Sequence, residues 1–251
     1  MKRNLAIFFM GMTIATMVLG GCGDKENISK KDGKESESVE DKKTFTVGFD
    51  AEYPPYGYMD ENGEYTGFDL ELAEAVCELE GWELVKKPIN WDSKDMELNS
   101  GAIDCIWNGF TMNGREEEYT FSTPYVDNSQ VIVVAEKSDM KTLEDLQGKS
   151  VGVQAASAAL DLLQSEEEGG QKALADTFSA LNEFADYNTA FTELQAGALD
   201  ALAIDVGVAN YQIKSRGEGY QILEETLNTE QYAIGFKKGN TGIMRCSQMP
   251  T

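Results

Sequence analysis

Hydrophobic and polar positions change rhythm along the chain, and each change predicts an element. Phe45 to Phe49 alternates as a half-buried strand does and then meets Pro54-Pro55, so the strand end delivers Asp50 and Tyr53 to a turn. From Asp69 to Glu80, Leu70, Ala73, Val76 and Cys77 share one helical face while Glu71, Glu74 and Glu78 share the other, and Gly81 ends the helix. Glu83 to Lys87 reads as a strand, Met96 to Ser100 as a helical turn and Ala102 to Trp107 as a third strand. The opening order is therefore βαβαβ, the signature of a mainly parallel sheet covered by helices. Val131 to Ala135 is a further apolar strand, after which the pattern restarts. Strands at Ser150 to Val153, Glu183 to Tyr187 and Leu199 to Asp205 alternate with helices at Ser157 to Gln164, Thr189 to Ala196 and Val206 to Lys214. Two successive α/β units predict two lobes with a ligand cleft between them. The carboxyl ends of the strands, where such sheets place binding groups, carry Asp50, Asn108, Gly109, Gln154 to Ser157 and Asp205.

The first residues do not belong to this pattern. Lys2 and Arg3 precede a mostly apolar run from Leu5 to Leu19, followed at once by Gly20-Gly21-Cys22. A basic start, a short apolar stretch and small residues at the cut predict a signal peptide over residues 1–21. Leu19-Gly20-Gly21-Cys22 resembles the bacterial lipobox, which implies acylation of Cys22 and attachment of the mature chain to a membrane outside the cytoplasm. Between Gly23 and Lys43 only Ile28 and Val39 are aliphatic, so that segment cannot offset its chain entropy and reads as a disordered tether over residues 22–43.

Composition narrows the chemistry. Against 44 acidic residues stand 21 basic ones, a formal charge of −23, which repels phosphate and excludes most nucleic-acid readers. The chain has no histidine, so Ser-His-Asp, Cys-His and His-zinc chemistry are excluded. Beyond Cys22 there are Cys77, Cys105 and Cys246, without a C-x-x-C pair or metal spacing. Cys77 on a helical face and Cys105 on an apolar strand read as small buried hydrophobes, with a bridge between them left open. Asp60-Glu61-Asn62-Gly63 is a turn whose oxygen spacing does not fit a calcium loop. No cofactor or metal is implied.

The stretches Val47-Gly48-Phe49-Asp50-Ala51-Glu52-Tyr53-Pro54-Pro55-Tyr56 and Gly67-Phe68-Asp69-Leu70 open a longer series. It continues with Gly101-Ala102-Ile103-Asp104, Asn108-Gly109-Phe110-Thr111, Arg115 and Phe121-Ser122-Thr123-Pro124-Tyr125. It ends with Leu143 to Lys149, Val151-Gly152-Val153-Gln154, Leu199-Asp200-Ala201 and Asp205. In this order and spacing the series resembles the extracellular solute-binding proteins, family 3, that feed polar amino acids to ABC importers, and it covers nearly all of residues 45–240. The resemblance implies a periplasmic-binding-protein-like type II fold: two α/β lobes joined by crossover strands near Ser129 to Ala135 and Gln231 to Phe236, binding an amino acid between them. It divides the body into a first lobe at 44–128, a second at 129–232 with hinge strands at its edges, and a return to the first lobe at 233–251.

An amino acid presents a carboxylate, an ammonium and a side chain, and burying either charge is costly without a fixed partner. Arg115 is the carboxylate candidate, because a guanidinium fork matches two oxygens. Its loop, Asn113-Gly114, is one residue shorter than in many relatives. Ser157, at the start of a helix, is a second carboxylate candidate. Where relatives have Gly-Thr or Gly-Ser, this chain has Ala156-Ser157-Ala158 and loses a hydroxyl. Asp205 is the ammonium candidate, with Thr111 and the Gly109 carbonyl to complete that shell; a helix N-cap is its plain structural role. Tyr53 and Trp91 are candidate aromatic walls. Asp50 is placed at the ligand's side-chain end, which favours neutral polar or cationic amino acids. Glu52, Asn108, Asn128 and Gln154 are weaker candidates.

After Asn240-Thr241 the relatives continue into amphipathic helices, whereas Gly242 to Thr251 shows no helical stripe, so the first lobe is expected to be incomplete. The leading expectation is a monomeric binding lipoprotein that serves an ABC importer permease. The alternative is an enzyme on the same scaffold, such as a cyclohexadienyl dehydratase acting on prephenate or arogenate. A sensor domain would need a membrane span and an output module, and neither is legible.

Overall fold

The computed structural model describes residues 43–217 and 219–241. The expected signal peptide, Cys22, nearly all of the tether, Cys246 and the expected truncated ending lie outside the described residues.

The chain opens with β1 (Thr44–Phe49), then three short strands, β2 (Glu52–Tyr53), β3 (Gly57–Met59) and β4 (Tyr65–Thr66), which form a small antiparallel sheet of their own. Helix α1 (Phe68–Glu80) follows, burying Leu70, Ala73, Val76 and Cys77, the face that the spacing predicts. Each fully buried leucine-sized side chain contributes about 1.5–3 kcal/mol relative to exposure. Gly81 ends the helix in the left-handed region, with φ of 67°. Strand β5 (Glu83–Pro88), helix α2 (Lys94–Ser100), β6 (Cys105–Ile106) and β7 (Tyr119–Phe121) complete the first pass.

The expected strand from Ala102 to Trp107 shrinks to the two residues of β6. Gly101 caps α2 with φ of 79°, and the Asp104 carboxylate then accepts from the Thr46 N–H at 2.7 Å, which holds residues 102–104 in a loop beside β1. Cys77 and Cys105 are buried free thiols in the same core cluster.

Strand β8 (Val126–Ala135) carries the chain into a second sheet. After it come β9 (Ser150–Gln154), α3 (Ala158–Gln164), α4 (Lys172–Ala175), β10 (Ala180–Phe184), α5 (Tyr187–Ala196), β11 (Ala201–Asp205), α6 (Val206–Arg216), β12 (Tyr220–Ile222), β13 (Asn228–Tyr232) and β14 (Gly235–Lys237). Here one expectation is corrected. The strand expected at Glu183 to Tyr187 lies three residues earlier, and Tyr187 begins α5, because the Asp186 carboxylate caps that helix by accepting from the Thr189 N–H at 2.7 Å.

The first sheet has the order β5-β1-β6-β14-β7, with β1 parallel to β5 and β6 and the returning β14 antiparallel to β6 and β7. The second has the order β10-β9-β11-β8-β12, parallel across its first three strands and antiparallel at β8. Strand β13 also lies antiparallel against β8, pairing Asn228 to Tyr232 with Gln130 to Val126. The two passages between sheets therefore run side by side, and a bridge between Thr111 and Tyr232 joins them to the first lobe. This is the two-lobed α/β architecture expected from the alternation of elements. Each sheet buries its own apolar layer, one around Val47, Leu70 and Trp107 and the other around Ile132, Val151 and Leu160.

Candidate functional site

The strand ends of both sheets meet between the lobes. Tyr53, Trp91, Gly109, Thr111 and Arg115 from the first pass of the chain, and Gln154, Ser157, Ala158 and Asp205 from the second, line one small cavity. Its own volume is about 10 Å³, room for about one water molecule.

Contacts across the gap hold the lobes in this arrangement. Arg115 Nη2 donates to Asp161 Oδ2 of α3 at 2.6 Å, Lys94 Nζ to the Ala156 carbonyl at 3.1 Å, and Gln154 Nε2 to Asp50 Oδ2 at 2.7 Å. The Asn188 amide also donates to the Glu52 carboxylate. Arg115 is buried, its guanidinium 5.1 Å from the Phe110 ring centroid. Trp91 packs edge-on against Phe110, with centroids 5.8 Å apart. Tyr53 faces Tyr187 across the lobes at 6.1 Å.

The Asp205 side chain makes no cap bond to α6, although the residue occupies the N-cap position. Its Oδ1 instead accepts from Asn128 Nδ2 at 2.8 Å, Gln130 Nε2 at 2.8 Å and the Tyr232 hydroxyl at 2.5 Å. Beside it, Glu230 Oε1 accepts from the same two amides, each at 2.8 Å, and from the Thr111 hydroxyl at 2.7 Å. Burial is the main cause of a raised Glu230 pKa; Asp205 pushes the same way, and the hydrogen bonds from Thr111, Asn128 and Gln130 oppose the rise.

Ser157 lines the cavity and caps α3, its hydroxyl oxygen accepting from the Leu160 N–H at 3.2 Å. The preceding Ala156 holds φ at 54°, a left-handed conformation that favours glycine. Gly109 also has positive φ, 55°, and a Cβ there would meet the Tyr53 ring at 3.0 Å, so its backbone can lie close to the cavity only without a side chain. Asp69 fixes that loop: its Oδ2 accepts from the Gly109 N–H at 2.5 Å, and complete burial raises its pKa to about 7, the Gly109 bond opposing the rise.

Four expected candidates lie outside the lining of the small cavity: Asn128, which reaches it only through its bond to Asp205, Glu52, Asn108 and Asp50. Asn108 is fully buried and turned toward β3, where a Cβ on Gly57 would come within 2.2 Å of Asn108 Oδ1. Asp50 is linked to the cavity through Gln154 and lines a neighbouring space of about 730 Å³, which shares Trp91 and carries the carboxylates of Glu52, Asp92, Glu97, Glu183 and Asp186. Burial raises the Asp50 pKa to about 6, against the hydrogen bonds from the Glu52 N–H and Gln154.

Glu230, Tyr232, Gln130 and Asp161 were not expected here. The signal for Glu230 and Tyr232 was a period of two along β13, which turns Asn228, Glu230 and Tyr232 to one face. A charged residue in the middle of that face is the mark of a buried polar site. Among the described residues no group of three or more His, Cys, Asp or Glu side chains is placed to hold a metal ion.

Residues 45–246 match the family described as bacterial extracellular solute-binding proteins, family 3. The L-cystine-binding protein TcyJ of Escherichia coli (strain K12) is 28% identical over 210 residues, spanning 82% of this chain and 76% of that protein. The arginine-binding extracellular protein ArtP of Bacillus subtilis (strain 168) is 29% identical over 226 residues, spanning 89% and 82%. Among solved structures, an ABC uptake transporter substrate-binding protein from Streptococcus pneumoniae with bound histidine superposes with a TM-score of 0.75 at 34% identity, covering 81% of this chain and 83% of that one. An ancestral arginine-binding protein bound to arginine gives 0.73 at 37% identity, covering 81% and 88%.

Proposed function

The chain belongs to the bacterial extracellular solute-binding proteins, family 3, and from that premise we infer that it captures a polar amino acid, neutral or cationic, between its lobes and delivers it to the permease of an ABC importer. The family is one of substrate-binding proteins, so the dehydratase alternative is set aside. The observation that carries the reading is the pairing of opposite charges across one cavity: the Arg115 guanidinium and the Asp205 carboxylate, contributed by separate lobes.

In this reading Arg115 and the Ser157 hydroxyl hold the ligand carboxylate. Asp205 holds the ammonium, with Thr111 and the Gly109 carbonyl beside it. Tyr53 and Trp91 enclose the stem of the side chain. Beyond Trp91 the stem points toward Asp50 and its acidic neighbours, a setting that attracts a cationic or hydrogen-bond-donating side chain and repels aspartate and glutamate. Relatives named for arginine, histidine and cystine support a polar ligand. Because the ligand touches both lobes, binding favours their closure. A lipid on Cys22 would keep the protein at the membrane face near its permease, as the Leu19-Gly20-Gly21-Cys22 pattern suggests.

Thermal shift of the purified chain against the twenty amino acids and cystine tests the reading. A ligand at about 100 times its Kd adds about 2.7 kcal/mol of stability. A response to a polar neutral or cationic amino acid is expected; no response to any of them overturns the assignment.

A further inference from the structure

Asp205 and Glu230 form a buried carboxylate pair. Asn128 Nδ2 and Gln130 Nε2 each donate to Asp205 Oδ1 and to Glu230 Oε1, all four bonds at 2.8 Å. The two acceptor oxygens are therefore no farther apart than two such bonds laid end to end. Both residues are nearly inaccessible, at 3% and 4% exposure. Two full negative charges at this separation and depth repel strongly, and each has lost most of its hydration. Two shared amides and two hydroxyls soften that repulsion without cancelling a charge.

Among the described residues the surrounding groups offer no cancelling cation. From β11 Glu230 faces Asp205, from β8 the two amides, from the segment after β6 Thr111, and from its own strand Asn228 and Tyr232. Tyr187 of α5 and Asp127 of β8 stand farther out. The wider cavity that Glu230 shares, of about 670 Å³, is also lined by Arg115, Lys94, Asp95, Glu118 and Asp161. Its two cations are already engaged, Arg115 by Asp161 and Lys94 by the Ala156 carbonyl.

We propose that Glu230 is a positioning residue of the ammonium pocket that carries a proton while the cleft is empty and releases it to solvent when a ligand ammonium settles beside Asp205. This rests on the reading of Asp205 given above. The exchange balances: the zwitterionic ligand enters with its ammonium intact, Glu230 passes from carboxylic acid to carboxylate, and one proton goes to the buffer. Oxygen Oε2 is the natural seat of the proton, because Oε1 already accepts three hydrogen bonds whereas Oε2 has only the Asn228 amide at 3.5 Å. The upward shift of the Glu230 pKa agrees with this placement. Capture is thereby coupled to pH: affinity rises with pH until Glu230 is ionised in the empty protein, and is level above that point.

The test is calorimetric titration of the full chain with the amino acid found by thermal shift, in two buffers of different ionisation enthalpy, from about pH 5 to about pH 8. Wild type is expected to release up to one proton per ligand, with affinity rising by up to about tenfold per pH unit at the acidic end. E230Q is expected to lose the release and most of the pH dependence. Independently of that variant, an infrared difference spectrum of wild type should show a protonated-carboxyl band disappearing as ligand is added. Binding without proton release, or release undiminished in E230Q, overturns the proposal and moves any proton to Asp50 or Asp69. Absence of binding to every amino acid instead overturns the transport reading itself, and this inference with it.

Discussion

Arg115 of the first lobe and Asp161 of the second are joined by a 2.6 Å ion pair through a single guanidinium nitrogen, Nη2. Arg115 also lines the cavity shared with Tyr53, Thr111 and Ser157. One arginine thus bridges the lobes and presents donors to whatever lies between them.

The first prediction separates these two uses. R115A should weaken amino-acid affinity by roughly 30- to 1,000-fold, the scale of removing one partner of a buried charge pair at about 2–4 kcal/mol, and R115K should recover only part of it because an ammonium has no fork. Asp161 has a side chain 59% exposed, so its pair contributes no more than about 1 kcal/mol. D161N should change affinity less than about fivefold while enlarging the ligand-free radius of gyration in small-angle scattering. Loss of binding in D161N would instead make Asp161 a ligand contact.

D205N is predicted to abolish high-affinity binding with the fold retained. The substitution replaces an acceptor of three hydrogen bonds by an amide facing two other amides and the Tyr232 hydroxyl. Calorimetry reads the affinity and far-UV circular dichroism the fold; binding equal to wild type would remove Asp205 from the ammonium role.

Stability should fall as pH rises from about 4 to 8. Asp50 and Asp69 have folded pKa values raised by burial to about 6 and about 7, so the fold favours their neutral forms. That contribution is complete below their unfolded values and is lost as pH climbs through 6 to 7. The formal charge of −23 adds repulsion in the same direction. Asp60 and Asp145, held below the usual carboxylate range by hydrogen bonds from backbone N–H groups, act oppositely and only at the acid end. The melting temperature should therefore be highest near pH 4 and fall toward pH 8, and D69N should flatten the decline. A melting temperature that climbs steadily over this range would contradict the assignment.

Ala156 offers a test of backbone strain. A left-handed alanine costs about 1–2 kcal/mol, and glycine relieves it while losing about 0.5–1 kcal/mol to unfolded-state entropy. A156G should leave stability unchanged or raise it by up to about 1 kcal/mol in urea unfolding. A loss of stability would show that the methyl group packs usefully against the apolar cluster that includes Trp91, Phe110 and Tyr119.

Much of the fold was legible where a single periodicity governs. Strand β1 and helix α1 begin and end within a residue of expectation, because alternation and a four-residue apolar face leave no second reading. The strand misplaced onto Tyr187 shows the limit: β10 is only half buried, so its alternation is faint, and the capping pattern of Asp186 and Thr189 went unread. The cleft gathers Tyr53, Gly109, Gln154, Ser157 and Asp205, legible as strand-end or helix-start residues, and Trp91, Thr111 and Arg115, which came through the family resemblance and the ligand's chemistry. Glu230 escaped because its importance comes from β8, a neighbour about a hundred residues earlier in the chain. The period of two along β13 marks Glu230 as inward-facing, but it does not report which amides of a distant strand will meet it.

The strands that join the lobes also carry the anionic end of the cleft: Asn128 and Gln130 belong to β8, and Glu230 and Tyr232 to β13. In a swinging door the points nearest the pivot travel least. Asp205 and its amide cradle would keep their shape whether the door stands open or shut, whereas Arg115 and Asp161, out at the leaf, separate. An arriving solute would thus find its cationic end received by a ready-made socket before the guanidinium swings in, and the order of events would follow from where each charge is mounted.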